Sequence, residues 1–295
     1  MFTLRQYLLA LLDSRGLTRT LGEIDVCRDE QGRPCFSAGN SAAVFRIRLG
    51  GRIRSLRCYL RPMRHLKEIY GQRLLEKELY LHTSPETGVW VDTVLGDWIE
   101  GSTLHETVAQ AAALRDRESL QILVRLFDRL ALALVTDDRA HGDLKPENII
   151  VGDDGTLCPI DFDASYLPAF AGEISPELGT AAYQHPARTA ANFDERIDDY
   201  PAALISTALH ALAENPTLWD RYGSSDGLLY TPQRIASDPA YRETLALFEK
   251  RGMAVQYRIA QLLTAPTLRL FGLAELLAEA VREKPAARSG TETET

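Results

Sequence analysis

The chain has 295 residues, of which 45% are apolar and 25% charged, and carries a net charge of −8. That length and balance describe a globular chain able to bury a large core, as one two-lobed unit or two small domains. The acidic surplus offers no basic field for a phosphate backbone, so no nucleic acid partner is expected. No window reaches the ~20 apolar residues of a membrane span, so no membrane span is expected either. Arg5 interrupts the first apolar stretch and no small-residue cleavage site follows, which argues against a signal peptide. The four cysteines, Cys27, Cys35, Cys58 and Cys158, form no CxxC pair and no zinc-like spacing. Free thiols in a reducing, cytoplasmic setting are the expectation.

Residues 2–15 have helical spacing, with Phe2, Leu4, Leu8, Leu9, Leu11 and Leu12 apolar. Residues 33–60 alternate and are rich in β-formers, which predicts three antiparallel strands with Gly50-Gly51 as the last turn. Residues 62–76 are expected to be helical, with Pro62 in the first turn and Leu66, Ile69 and Leu74-Leu75 on the apolar side. Two more strands are expected around Leu79–His82 and Trp90–Leu95, joined by Ser84-Pro85-Glu86-Thr87-Gly88. From Ser102 the period becomes helical, and Thr103-Leu104-His105-Glu106 is a capping-box pattern. Residues 117–138 predict a long helix with Leu120, Leu123, Phe127, Leu130 and Leu134 on one face.

The chemistry gathers in the next stretch. His141-Gly142-Asp143-Leu144-Lys145-Pro146-Glu147-Asn148 is followed by Ile149 to Ile160, which reads as a hairpin around Gly152-Asp153-Asp154-Gly155. A hairpin of that length brings Asp161-Phe162-Asp163 back to its own start. Asp143, Lys145, Asn148 and Asp161 can then converge. Phosphoryl transfer asks for such a set: a carboxylate to orient a hydroxyl, a cation near the moving group, and oxygen ligands for Mg2+. Mg2+ keeps several waters and takes only one or two protein carboxylates, a demand Asn148 and Asp161 suit. Residues 164–188 have no clear period. Asp198-Asp199-Tyr200-Pro201 opens a very apolar helix through Ala213, with Asp198 a candidate N-cap. Residues 216–282 predict three or four further helices, and residues 284–295 a disordered tail.

His-Gly-Asp-Leu-Lys-Pro-Glu-Asn resembles the catalytic loop of eukaryotic-like Ser/Thr protein kinases of bacterial type, and Asp-Phe-Asp is similar to their metal-binding Asp-Phe-Gly. Gly179-Thr180-Ala181-Ala182-Tyr183-Gln184-His185-Pro186 resembles their Gly-Thr-x-x-Tyr-x-Ala-Pro. The resemblance covers residues 33 to 280. It implies an α+β, two-lobed protein-kinase-like fold, with a small antiparallel-sheet N-lobe over 33–96 and a mostly helical C-lobe over 97–283. Residues 1–32 become an N-terminal helical extension.

The same resemblance implies roles. Asp143 is the base, Lys145 the cation, and Thr180 a hydrogen-bonding partner of both. Asn148 and Asp161 are the metal residues. Aligned on Val44, Ser37 to Val44 is similar to the glycine-rich loop, with Gly39 matching and Ser41 and Val44 alongside for nucleotide. Arg57 stands where the family's strand lysine belongs, an exchange that keeps the charge but alters the donor geometry. Its helix partner is expected to be Glu68, mid-helix, or else Glu76. Asp97-Trp98-Ile99-Glu100-Gly101 resembles the hinge, with Asp97 and Ile99 placed for adenine. Asp198 would brace the catalytic loop. ATP and Mg2+ are the implied cofactors, and a protein substrate or regulatory partner is implied.

Three residues depart from the family: Arg57 for lysine, Asp163 for glycine, and Gly142 for the arginine before the catalytic aspartate. That arginine normally contacts a phosphorylated activation segment, so its absence argues against activation by phosphorylation there. Asp163 either repels phosphate or adds a Mg2+ ligand. After Pro186 the family's glutamate is missing, and Ala187 and Arg188 stand there, which implies a differently anchored segment. Three functions remain open: an active Ser/Thr protein kinase, a pseudokinase that binds nucleotide as a regulator or scaffold, and a small-molecule kinase.

Overall fold

The computed structural model describes residues 1–283, so the tail expected over 284–295 lies outside the described residues. The fold is α+β and divides into two compact units, Met1–Glu100 and Gly101 onward.

The first unit is built on a curled antiparallel sheet. Its strands are β1 (Asp25–Val26), β2 (Phe36–Ala38), β3 (Ala42–Leu49), β4 (Arg52–Tyr59), β5 (Leu74–His82) and β6 (Gly88–Asp97). They run in the order β1-β3-β4-β6-β5, with β2 also on β3. Alternation decides the faces: Phe45, Ile47, Leu56, Cys58, Leu79 and Leu81 are buried together. Gly50 and Gly51 both hold positive φ, which closes the tight β3–β4 turn. Helix α1 (Leu4–Leu12) packs Tyr7, Ala10 and Leu11 into this core, and the Tyr7 hydroxyl donates to the Tyr59 carbonyl at 2.6 Å. Its start is a capping box between Thr3 and Gln6. Glu78 on β5 is 1% exposed. Its carboxylate accepts the N–H groups of Arg19, Thr20 and Leu21 at 2.8 to 3.1 Å and the Thr20 hydroxyl at 2.6 Å.

The helix expected over 62–76 is corrected. Only Leu66–Tyr70 is α-helical (α2), followed by a 3-10 turn at Gly71–Arg73. His65 enters with φ 60 and Gly71 leaves with φ 53, so left-handed residues bound the helix at both ends. Leu74 and Leu75 belong to β5, which pairs with β6 on both sides of an irregularity between Leu75 and Leu79. Within it Lys77 takes φ 51 and donates its N–H to the Asp92 carboxylate at 2.7 Å.

The second unit carries a three-stranded antiparallel sheet, β7 (Gly101–Thr103), β8 (Ile149–Gly152) and β9 (Leu157–Pro159), in the order β7-β8-β9. The rest is mainly helical: α3 (Leu104–Ala113), α4 (Arg117–Thr136), α5 (Asp199–Glu214), α6 (Leu218–Tyr222), α7 (Pro239–Arg251), α8 (Ala254–Leu262) and α9 (Leu273–Arg282). Thr103 and Glu106 form the capping box that starts α3. Helix α4 buries Leu120, Leu123, Val124, Phe127, Ala131 and Val135, one face at helical spacing. Leu130 and Leu134, expected on that face, are half-buried at its edge. Helix α5 is buried almost all round, as its apolar sequence requires. Where α4 meets α5, buried Asp128 accepts from Ser206 Oγ at 2.7 Å and pairs with His210 Nε2 at 2.8 Å. No helix among the described residues is long and apolar enough to cross a membrane.

Candidate functional site

In the second unit, the turn from Ala140 to Asn148 is pinned by its apolar members. Leu144 and Ile149 are fully buried, and Pro146–Asn148 forms a 3-10 turn between them. The hairpin pairs Ile149 with Pro159, Ile150 with Cys158 and Val151 with Leu157. The next ladder contact runs from the Ile160 N–H to the Asn148 carbonyl at 2.9 Å. Asp161 therefore follows directly beside Asn148. Its φ of 66 is left-handed, a strained state for a residue with a Cβ. Phe162 and Asp163 continue in a 3-10 turn, with Asp163 only 4% exposed.

Asp143 is the hub. One of its carboxylate oxygens accepts the Thr180 N–H at 2.6 Å. The other lies 3.3 Å from Lys145 Nζ and 3.3 Å from Asn148 Nδ2. Asn148 Nδ2 also donates to the Asp143 carbonyl at 2.9 Å, and Lys145 Nζ donates to Thr180 Oγ1 at 2.8 Å. Asp143, Lys145, Asn148 and Thr180 are thus one hydrogen-bonded group. Asp143 and Lys145 keep 16% and 23% of their side chains exposed, enough to meet a ligand.

The backbone beneath is held from three sides. Asp198, at the head of α5, accepts the His141 N–H and, at 3.0 Å, the Gly142 N–H. It bonds no N–H of its own helix, so it braces the loop and does not cap α5 by its side chain. Burial pushes its carboxyl up, opposed by His141, the two N–H groups and Arg188. His141 Nε2 donates to the Ile160 carbonyl at 2.7 Å, and Nδ1 accepts the Asp143 N–H at 3.4 Å, which fixes the tautomer. Gly142 has φ 80, and a Cβ there would lie 2.0 Å from the Ala164 carbonyl oxygen, so no side chain fits.

On the segment side, Gly179 has φ 71, and a Cβ there would lie 3.0 Å from the Asp143 carboxylate and 2.8 Å from the Gly142 carbonyl oxygen. Tyr183 is buried, and burial pushes its phenol far above the usual range. Arg188 is 9% exposed and donates from Nη1 to the Gly142 carbonyl at 3.0 Å and to Gln184 Oε1. The sequence marks Arg188 as a departure, but nothing near it in the chain signals burial. Gln184 and the two-ended use of His141 carry no sequence signal of their own.

The first-unit residues lie as follows. Gly39 donates its N–H to the Ala42 carbonyl at 2.9 Å, closing the turn from β2 to β3. Ser41 accepts from Arg61 Nη2 at 2.7 Å. Val44 on β3 pairs in register with Arg57 on β4, whose guanidinium lies 5.7 Å from the Tyr59 ring centre. Asp97 ends β6, exposed and 3.0 Å from Arg54 Nη1, and Ile99 is half-buried in the loop that follows. Glu68 lies exposed on α2 and makes no ion pair among the described residues, so the expected Glu68–Arg57 contact is not formed. Glu76 is exposed on β5 and makes none either. Helix α2 ends at Tyr70, so Glu76 is carried on β5 and not on the helical face expected to present it.

No protein-family model matches the chain. Curated proteins do. CBL-interacting protein kinase 17 of Oryza sativa subsp. japonica is 28% identical over 172 residues, 55% of this chain and 35% of the rice protein. The serine/threonine-protein kinase PknL of Mycobacterium tuberculosis is 34% identical over 113 residues, 36% of this chain and 27% of that protein. The serine/threonine-protein kinase chk1 of Schizosaccharomyces pombe is 25% identical over 160 residues, 52% of this chain and 31% of that protein. The chain spans about a third of the length of these relatives.

Proposed function

We propose that this chain, Ser/Thr protein kinase-like in its sequence and fold, transfers the γ-phosphoryl group of ATP to a hydroxyl of a protein substrate. The observation that supports this best is the Asp143 carboxylate, oriented by the Thr180 N–H and flanked by Lys145 and Asn148. In the proposed step the substrate oxygen bonds to the γ-phosphorus while its proton passes to Asp143. The bond from the γ-phosphorus to the bridging oxygen breaks, and ADP leaves with the electron pair. Lys145 offsets charge on the transferred group. Thr180 holds Lys145 and Asp143 together.

Asn148 and Asp161 are proposed to hold Mg2+. The chemistry of the donor set fits. Asn148 Nδ2 is committed to Asp143, which leaves Oδ1 for a cation, and the hairpin ladder returns the backbone at Asp161 to Asn148, which supports Asp161 as the carboxylate of the pair. Bound there, Mg2+ would screen the phosphate oxygens. In the first unit, Gly39, Ser41, Val44 and Arg57 are assigned to nucleotide, and Asp97 and Ile99 to its base. A cytoplasmic protein is part of the same proposal.

Incubation with γ-labelled ATP, Mg2+ and myelin basic protein is expected to give label incorporation that Asp143→Asn abolishes. Equal incorporation by both proteins refutes the assignment. Arg57 in place of lysine and the absence of an ion pair at Glu68 favour a second reading, a pseudokinase that binds nucleotide as a regulator. It predicts thermal stabilisation by ATP with no transfer.

A further inference from the structure

We propose that Arg188 is a positioning residue for Asp143, and that it locks the segment from Gly179 to Arg188 onto the catalytic loop with no phosphoryl group involved. This rests on the phosphotransfer assignment and extends it to the regulation of the same loop. The peptide between Gly142 and Asp143 is held at both ends. Its carbonyl accepts from Arg188 Nη1 at 3.0 Å, and its N–H donates to His141 Nδ1 at 3.4 Å. Fixing that plane fixes the direction in which the Asp143 side chain leaves the backbone. The buried cation also faces carboxylates: Asp198, Asp143 and Asp194 all act on it electrostatically. No cation can come from position 142 itself, where even a Cβ collides with the Ala164 carbonyl.

Arg188 is anchored from the other direction. Its N–H donates to the His185 carbonyl at 2.9 Å. The His185 ring bonds the Ala265 carbonyl at 3.0 Å, accepts the Ala187 N–H at 3.1 Å and packs on Tyr200. The guanidinium thus rides on a turn fixed to the helical core. Its Nε and Nη2 make no hydrogen bond among the described residues, so the Gly142 carbonyl and the Gln184 amide define where it sits.

The test uses the full chain, ATP and myelin basic protein. Arg188→Met is expected to lower kcat at least tenfold with KM for ATP within twofold of the original. Arg188→Lys keeps the charge but lacks the planar fork, and is expected to lose about threefold in kcat, again with KM unchanged. If Arg188→Met does not fold, Arg188→Lys carries the test. Phosphatase treatment of the unaltered chain is expected to leave kcat unchanged. A folded Met variant with unchanged kcat, a Lys variant with unchanged kcat, a KM that rises in step with the loss, or inactivation by phosphatase overturns the proposal. If the unaltered chain transfers no phosphate, the functional reading fails instead. Amide hydrogen exchange then decides the lock: Arg188→Met or Arg188→Lys should speed exchange across 141–144 and 179–183, and unchanged rates overturn it.

A different observation in the first unit carries a second site. We infer that Cys27 and Cys35 are a site of oxidation to a disulfide. Both stand opposite Arg46: the β1–β3 register places Val26 on Ile47, and the β2–β3 register places Phe36 on Phe45. Cys27 N–H donates to the Arg46 carbonyl at 2.9 Å, and Arg46 N–H donates to the Cys35 carbonyl at 3.0 Å. The chain between them leaves as a small hairpin and returns to the same point. Arg28 pairs with Pro34, and the Cys35 N–H donates to the Cys27 carbonyl at 2.8 Å. The antiparallel Arg28–Pro34 bridge sets Cys27 opposite Cys35 across this hairpin, so the two residues share one face of it. Residues opposed across such a hairpin have Cα atoms about 4.5 to 5.5 Å apart, within the span a disulfide bridges. Both cysteines are half-buried, whereas Cys58 is buried.

Hydrogen peroxide is the oxidant proposed: the two thiols give up two electrons and two protons, and two waters form with the S–S bond. After peroxide treatment and alkylation, the peptide spanning 27–35 should be two hydrogens lighter, unalkylated, and restored by dithiothreitol. Cys27→Ser should leave Cys35 open to alkylation. Alkylation of both cysteines after oxidation, or pairing of either with Cys158, overturns the inference.

Discussion

Asp199 is a carboxylate that burial works against, and replacing it should stabilise the protein in a pH-dependent way. It lies 3% exposed in the first turn of α5 and accepts the Leu270 N–H at 3.1 Å. Burial pushes its pKa from 3.8 up to about 6; neighbouring Asp198 adds to the rise, while the Leu270 bond, Arg196 and Arg269 oppose it. A rise of that size is on the order of 3 kcal/mol against the charged form, at about 1.36 kcal/mol per unit. Below pH 4 the group is protonated folded and unfolded, and costs nothing. Between pH 4 and 6 the folded chain holds a proton that the unfolded chain has released, so stability falls as pH rises. Above pH 6 the full cost is present. Asp199→Asn keeps an acceptor for Leu270 and removes the charge. It forfeits about 0.5 kcal/mol of favourable interaction with the helix N-terminus. The net expectation is a gain of about 2.5 kcal/mol at pH 7.5 that disappears by pH 4. Urea unfolding followed by tryptophan fluorescence at pH 4, 5, 6 and 7.5 measures it. A variant that is less stable at pH 7.5, or a difference that does not change with pH, refutes the reasoning.

Four further changes have defined outcomes. Glu78→Ala removes the charged acceptor of the Thr20 and Leu21 N–H groups and the Thr20 hydroxyl and should cost about 2 kcal/mol in chemical denaturation, the Arg19 N–H keeping its bond to the backbone carbonyl of residue 78. Gly142→Ala adds left-handed strain to a collision with the Ala164 carbonyl and should cost about 3 kcal/mol or more. Gly155→Ala, strained but with nothing within 4 Å of its Cβ, should cost only about 1 kcal/mol, and equal losses in the two melts would contradict the steric account. Thr103→Ala should cost about 1 kcal/mol through loss of the α3 capping box, measured the same way.

What the sequence made legible was local and periodic. Thr103 and Glu106 announce the start of α3 because a capping box needs only those two residues three apart. Leu120, Leu123 and Phe127 define the buried face of α4 by spacing alone. Asp154-Gly155 marks the turn that returns Asp161 to Asn148. The stretch 62–76 misled because Leu66, Ile69, Leu74 and Leu75 satisfy a helical period while belonging to two different elements. What separates them is backbone, the positive φ of Gly71, and no apolar period reports φ. Arg188 shows the other limit. An arginine on a loop looks solvated, and its burial against the Gly142 carbonyl depends on chain 46 residues away.

The carboxylate of Glu78 binds the chain at Arg19 to Leu21 as a clasp would, and Tyr7 reaches the end of β4 from α1. Proteolytic removal of residues before Gly22 would therefore strand a negative charge inside the sheet unit and uncover Leu79 and Leu81. The trimmed sheet should lose solubility and melt early.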